Sequence, residues 1–192
     1  MAELLSGCNS GLGKGASVTP GLAGDKLAFY GAGRIIPVQL AYFEDLTTDF
    51  IAHANGYTVT EAEIMEFGRR FDPQPFHIDP VAAKDSVFGG LVAPGTLIVC
   101  ARSWLVNHLD QCPAYSAGLG VENMNLLKPV RPGDTLRLEV RVLSARVSQS
   151  RPDHGVVVCK NLIYNQNDEL VMELTPKMLV RRNPDTVSCK QI

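Results

Sequence analysis

Residues 71–96 read F-D-P-Q-P-F-H-I-D-P-V-A-A-K-D-S-V-F-G-G-L-V-A-P-G-T, a connection between two segments of helical character. Pro73, Pro75, Pro80 and Pro94 each fix their own φ and push the preceding residue out of the helical region. Asp72, ahead of Pro73, therefore sits where a helix ends. Five extended residues span roughly 15–18 Å, so Asp72 and His77 reach one small molecule only if Pro73 and Pro75 turn the chain back. A carboxylate and an imidazole that share one water are suited to moving protons near neutral pH. The plainer alternative makes Asp72-Pro73 a helix stop and His77 a surface residue. Gly95, after Pro94, is either part of an ordinary Pro-Gly turn or the source of a backbone amide that assists the same chemistry.

Upstream of this stretch, Thr60 reads as an N-cap, Glu63 completes a Thr-x-x-Glu capping box and Val59 is placed to staple onto Ile64. Ile64, Phe67 and Phe71 follow at helical spacing, so this helix lays one face on a core and delivers Asp72 at its end. Downstream, Thr96–Leu109 is apolar on nearly every side, through Leu97, Ile98, Val99, Cys100, Ala101, Trp104, Leu105, Val106 and Leu109. A helix of that composition and length is buried inside a protein. Pro94 and Gly95 stand at its positive end, where developing negative charge is stabilised.

Farther along, Leu136, Leu138, Val140 and Val142 alternate with Arg137, Glu139 and Arg141, the pattern of a strand with one wet face. Pro132-Gly133 supplies the turn before it. Val156–Asn165 and Glu169–Arg181 read as the next two strands, joined by Gln166-Asn167-Asp168, and Pro176 argues for an edge or a bulge in the second. Near the start, Ile35–Phe43 reads as a short strand. Helices followed by strands in hairpin order give an α+β fold, an antiparallel sheet curled over a long buried central helix.

The chain of 192 residues, 45% hydrophobic, can bury one substantial core. A net charge of -2 argues against a nucleic-acid partner, which calls for a basic face. Cys8, Cys100, Cys112, Cys159 and Cys189 include no Cys-x-x-Cys pair and read as reduced thiols of a cytoplasmic protein, not as a disulfide frame or zinc site. Asp72, His77 and Asp79 have no further histidine nearby, so no metal is expected. The longest uncharged run, Ser86 to Ala101, is too short to span a bilayer, and no membrane partner is expected. Eight of the 17 glycines fall within residues 1–33, which lack apolar periodicity and read as a flexible N-terminal arm.

The run Asp72-Pro-Gln-Pro-Phe-His77-Ile-Asp79-Pro80-Val-Ala-Ala83 resembles the hydratase signature of the MaoC-like acyl dehydratases, relatives of the (R)-specific enoyl-CoA hydratases. Asp72, Pro75, His77, Asp79, Pro80 and Ala83 all fall in place without a gap. The resemblance extends from Glu44 to Arg182: Gly95 matches the family's glycine at the start of its central helix, and Ser103 matches a family serine. Pro94 stands where the family usually has histidine, and Gln74 where asparagine is common; both departures bear on substrate identity.

The resemblance implies a single hotdog fold over residues 34–192 and a homodimer or higher oligomer with its acyl tunnel at the subunit boundary. It also implies reversible hydration of a trans-2-enoyl-CoA to an (R)-3-hydroxyacyl-CoA, with no cofactor. Asp72 would take a proton from water, His77 would hold that water and protonate the α-carbon, and the Gly95 amide would bind the thioester oxygen. Ser103 would support Asp72 from behind, unless it bonds only to its own preceding turn; Asp79 caps the turn before Pro80. Two rival readings stay open. A hotdog thioesterase commonly carries its carboxylate on the central helix, where Gly95–Leu109 has none. A non-catalytic acyl-CoA-binding domain would have no need of the Asp72 and His77 pair. Lys128, Arg131, Arg69 and Arg102 are candidates for the phosphates of coenzyme A, with solvated surface charge as the alternative for each.

Overall fold

The computed structural model describes residues 26–30, 34–38 and 40–188. Among the described residues, four α-helices and nine strands follow in chain order: β1 (Lys26–Tyr30), β2 (Arg34–Val38), β3 (Leu40–Ala41), β4 (Ile51–Thr58), α1 (Glu61–Phe71), α2 (Pro75–Ile78), α3 (Gly95–Val106), β5 (Cys112–Pro113), β6 (Tyr115–Leu126), β7 (Thr135–Val147), β8 (His154–Tyr164), β9 (Leu170–Arg181) and α4 (Pro184–Ser188). Five of the strands form one antiparallel sheet in the order β4-β7-β8-β9-β6. The central helix α3 lies on the inner face of this sheet, which is the hotdog arrangement.

The period of two in β7 explains the layer directly. Leu136, Leu138, Val140 and Val142 are buried beneath α3, and Val157, Cys159 and Ile163 of β8 extend the same inner face. From α3, Leu97, Ile98, Ala101 and Leu105 enter the core, and the helix packs mainly on β4 and β7. Burying one Leu or Ile side chain is worth about 1.5–3 kcal/mol, so this single layer outweighs any local propensity. The opposite side of α3 stays open: Cys100 and Trp104 are exposed, although the sequence reads the helix as apolar on nearly every side. Trp104 stacks on His108 at 3.6 Å between ring centroids.

Other expectations are refined. Thr60 Oγ1 accepts from the Glu63 amide at 3.2 Å, but the Glu63 carboxylate takes the Tyr57 hydroxyl, so only half of the capping box forms. Val59 and Ile64 are both fully buried, as a staple requires. Pro176 lies in an interior strand between β8 and β6. The β8–β9 ladder skips Cys159 and Lys160 there and resumes in the same register, whereas the β6–β9 ladder, in which Pro176 lies opposite Val121, shifts register on both sides of it, between Gly118 and Gly120 and between Glu122 and Asn125. Ile35–Phe43 divides into β2, which pairs with β1, and β3, which pairs in parallel with β5, before a 3-10 turn at Phe43–Asp45. The expected arm, residues 1–33, lies outside the described residues except for Lys26–Tyr30, as do Cys8 and Cys189.

Candidate active site

The first catalytic candidate is placed by the end of α1. The Asp72 amide still donates to Gly68 O at 2.9 Å, but Asp72 itself, at φ -151° and ψ 75°, has left the helix ahead of Pro73. Gln74 N then donates to Asp72 O, and His77 N to Gln74 O, both at 2.8 Å, starting the single turn of α2 with Pro75 at its first position. This tight path folds the chain back on itself. It brings His77 Nε2 to 3.6 Å from Asp72 Oδ2, too far for a direct hydrogen bond and near enough for one small group to touch both. Asp79 closes the next turn, its Oδ1 accepting from Val81 N at 2.8 Å and Ala82 N at 3.1 Å.

The imidazole is fixed from behind. His77 is 6% exposed, and its Nδ1 lies 2.7 Å from the Val92 carbonyl oxygen. A carbonyl only accepts, so Nδ1 carries the proton and Nε2, the nitrogen facing Asp72, is the one free to gain or lose a proton. Phe76 packs edge-on against the imidazole and against Phe88, with centroid distances of 4.5 and 5.2 Å. Asp72 is the wetter partner, its side chain 40% exposed.

Both groups open into a cleft of about 450 Å³ whose lining also includes Gly95, Ile98, Leu126 and Lys128. The amides of Leu97 and Ile98 donate to Pro94 O, so the Gly95 amide stands ahead of the helical ladder, at the positive end of α3, with no intrahelical acceptor. A Cβ on Gly95 would come within 2.6 Å of Leu126 Cδ1. The nearest atom is the far end of a flexible, half-exposed side chain, so a larger residue at 95 would displace Leu126 where the helix meets β6.

A profile of the MaoC like domain matches residues 44–161 of the sequence. The chain belongs to the MaoC-like dehydratase family. It is similar to the MaoC-like dehydratase from Rhodospirillum rubrum, with 36% identity, a TM-score of 0.68, and coverage of 75% of this chain and 99% of that one. Protein MaoC of Klebsiella aerogenes is 30% identical over 119 residues, which cover 62% of this chain and 35% of that protein; the match spans about a third of the longer sequence. The R-hydratase PhaJ1 from Pseudomonas aeruginosa shares the fold, with 22% identity, a TM-score of 0.62, and coverage of 76% of this chain and 89% of that one.

In this MaoC-like chain three of the four expected site residues, Asp72, His77 and Gly95, line one cleft. Ser103 is not among them. Its Oγ donates to Val99 O at 3.0 Å, one helical turn back, and its side chain lines a different cavity. Two turns of helix separate it from Gly95, and the bond to Val99 satisfies its hydroxyl. Of the four cations considered for phosphate binding, only Lys128 lines the cleft, and it is paired with Glu169 at 2.5 Å. Arg131 Nη2 donates to Phe88 O at 2.6 Å, Arg69 Nη2 contacts Met65 Sδ at 3.8 Å, and Arg102 faces Asn161. Among the described residues no group of three or more His, Cys, Asp or Glu side chains could hold a metal ion, and no helix is long and apolar enough to cross a membrane.

Two positions that shape the site were not singled out in the sequence. Gly68 lets α1 lie against α2: a Cβ there would meet His77 O at 2.9 Å and His77 Cβ at 3.1 Å. A glycine in a helix interior costs about 1 kcal/mol against alanine, and that cost, four residues before Asp72, was the available signal. Val92 acts through its carbonyl, which no side-chain pattern reveals.

Proposed function

We propose that this chain catalyses the reversible hydration of a trans-2-enoyl-CoA to an (R)-3-hydroxyacyl-CoA in the cytoplasm, as a homodimer. The observation that carries this reading is the spacing of Asp72 Oδ2 and His77 Nε2 at 3.6 Å with the second imidazole nitrogen tied to Val92 O. A water in the cleft that touches both groups can give a proton to one while the other gives a proton to the substrate. In hydration, Asp72 accepts a proton from water as the water oxygen bonds to the β-carbon. The π electrons move toward the thioester, whose oxygen gains enolate charge at the Gly95 amide, a contribution of about 3 kcal/mol for one oxyanion donor. Nε2 of a protonated His77 then delivers a proton to the α-carbon as the carbonyl re-forms. The carboxyl proton left on Asp72 returns to Nε2, and both groups are reset. Because both groups come from one wall of the cleft, the added hydrogen and hydroxyl arrive on the same face of the double bond.

The dimer is supported by β6, a sheet edge whose Leu119, Val121, Met124 and Leu126 are about half exposed. An uncovered apolar edge of this length invites a second strand. Mixing the protein with crotonyl-CoA tests the chemistry. Loss of enoyl absorbance, with the thioester intact, is the expected result. Release of free coenzyme A without hydration points to a thioesterase, and saturable binding with neither change points to a binding domain; either result overturns the proposal.

A further inference from the structure

A second cavity, of about 240 Å³, lies between the C-terminal half of α3 and strands β6 and β9. Its walls are largely apolar, with Val106, Leu109, Val121 and Met178 among them, yet Arg102 stands in the lining. A guanidinium in such a wall is unfavourable unless its five donors are met by acceptors and its charge by an anion. Asn161, 1% exposed on the inner face of β8, supplies one acceptor. With its amide oxygen turned toward the guanidinium, the orientation in which donors meet an acceptor, it accepts from Nε and Nη2, each at 2.7 Å. That leaves the charge unanswered. The ionisable groups facing Arg102 are the Tyr115 phenol and the Cys159 thiol, and among the described residues no carboxylate pairs with it. Burial holds Arg102 below the usual arginine value and pushes Cys159 up to about 12, so the thiol stays neutral.

The two cavities share one face of α3. Gly95 and Ile98 line the first, Arg102 and Val106 the second, at spacings of three and four residues that keep them on one side of the helix. Along β6, Leu126 lines the first and Val121 and Tyr115 the second. Arg102 lies seven residues beyond Gly95, about 10 Å along the helix axis. The two linings have no residue in common, but a chain whose thioester oxygen sits at the Gly95 amide and which follows this face of the helix would reach Arg102.

We infer that the acyl group taken by this site ends in a carboxylate, which Arg102, held in place by Asn161, binds at the far end of the cavity. This rests on the hydratase reading above. A terminal methyl would leave the partly buried guanidinium without an anion, whereas a carboxylate forms charge-assisted hydrogen bonds with the part of the fork that Asn161 leaves unused. The pattern selects for charge at one end of the substrate and is indifferent to the chemistry at the other.

The test compares trans-2-octenedioyl-CoA with trans-2-octenoyl-CoA, matched in length and differing in the terminal group. The expected kcat/KM ratio favours the dicarboxylic substrate at least tenfold, with the difference mainly in KM. Arg102→Leu should bring the ratio to one or below. Asn161→Asp, nearly isosteric, places a carboxylate against the guanidinium and should do the same, and it carries the test if Arg102→Leu does not fold. A wild-type protein that hydrates octenoyl-CoA at least as well, or a ratio unmoved by both variants, overturns the inference and leaves the hydratase reading standing. Loss of the preference together with dissociation into monomers in both variants gives Arg102 to the subunit boundary and also overturns it. A protein that hydrates neither substrate nor crotonyl-CoA overturns the hydratase reading, and this inference with it.

Discussion

Asp72 Oδ2 and His77 Nε2 are close enough for one water beside them to touch both, so neither does its part alone. Removing either should then cost nearly as much as removing both. Asp72→Asn and His77→Gln are each expected to lower kcat by roughly a hundredfold or more, the range of general acid-base catalysis, with the double variant scarcely worse and thermal unfolding little changed. Losses that multiply would mean two independent roles and no shared water. Gly95→Ala is expected to push Leu126 toward the cleft, since the new methyl would otherwise lie 2.6 Å from its Cδ1; turnover should fall while the far-ultraviolet circular dichroism is retained. Asp72 and His77 were singled out by the signature they share with the family; Pro73 and Pro75 made a turn that joins them possible but did not decide it against a plain helix stop, and it is the fold that brings them to 3.6 Å. Ser103 was offered by the family resemblance alone, and the alternative given for it, a bond to its own preceding turn, is the one its hydroxyl makes with Val99 O. Arg102 was legible only as a cation, since its setting depends on Asn161, fifty-nine positions away in sequence and brought near by the sheet.

The helix α1 combines a good start with a constrained finish. Thr60→Ala removes the side-chain acceptor of the Glu63 amide and should lower stability by about 1 kcal/mol in urea unfolding, with little effect on turnover. Gly68→Ala is expected to show the reverse: a better helix former at an interior position, yet lower activity, because the added methyl presses on the backbone of His77. Near the other end of the chain, Glu44 accepts from Arg182 Nε at 2.8 Å, Asn183 N at 2.9 Å and Thr186 Oγ1 at 3.1 Å. Burial pushes its carboxyl up, but these donors together hold it below the usual value. A depressed folded-state value means that the stabilisation is complete above the unfolded carboxyl range, about 4.3, and is lost as pH falls through the lower folded value. Glu44→Gln should therefore be less stable than the parent near neutral pH, with the difference shrinking in acid. Strand β7 could be read from alternation, because one face is buried and the other wetter; β8 and β9, buried at runs of consecutive positions, could be read as apolar segments joined by a polar turn. Strands β4 and β6 could not: Ala52 and Ala54 are small, and β6 carries Gly118 and Gly120 and exposes nearly every position at the sheet edge.

Among the described residues, β4 and β6 are the two edges of the five-stranded sheet, and β6 is the more apolar. If a second copy covers it, Val121→Lys combined with Leu119→Lys should shift sedimentation toward monomer at micromolar concentration, and an unchanged dimer would mean that the copies meet elsewhere. Both proton-handling groups come from one chain, so dimers mixed from wild-type and Asp72→Asn subunits should retain about half the turnover per dimer. The overall α+β layering was visible from the order of periodic segments, whereas the cavity beside Arg102 was not, because it exists only once α3 settles on the β4 and β7 half of the sheet. The bond from His77 Nδ1 to the Val92 carbonyl has one more consequence, for heredity. An orienting group that is a side chain can be lost by a single codon change, but a main-chain oxygen is common to all twenty residues. A saturation scan of the gene would find positions 72 and 77 intolerant, whereas position 92, a buried valine, would sort substitutes only by whether they fit its apolar setting, so the oxygen that aligns the imidazole would leave no mark of its own in the mutational record.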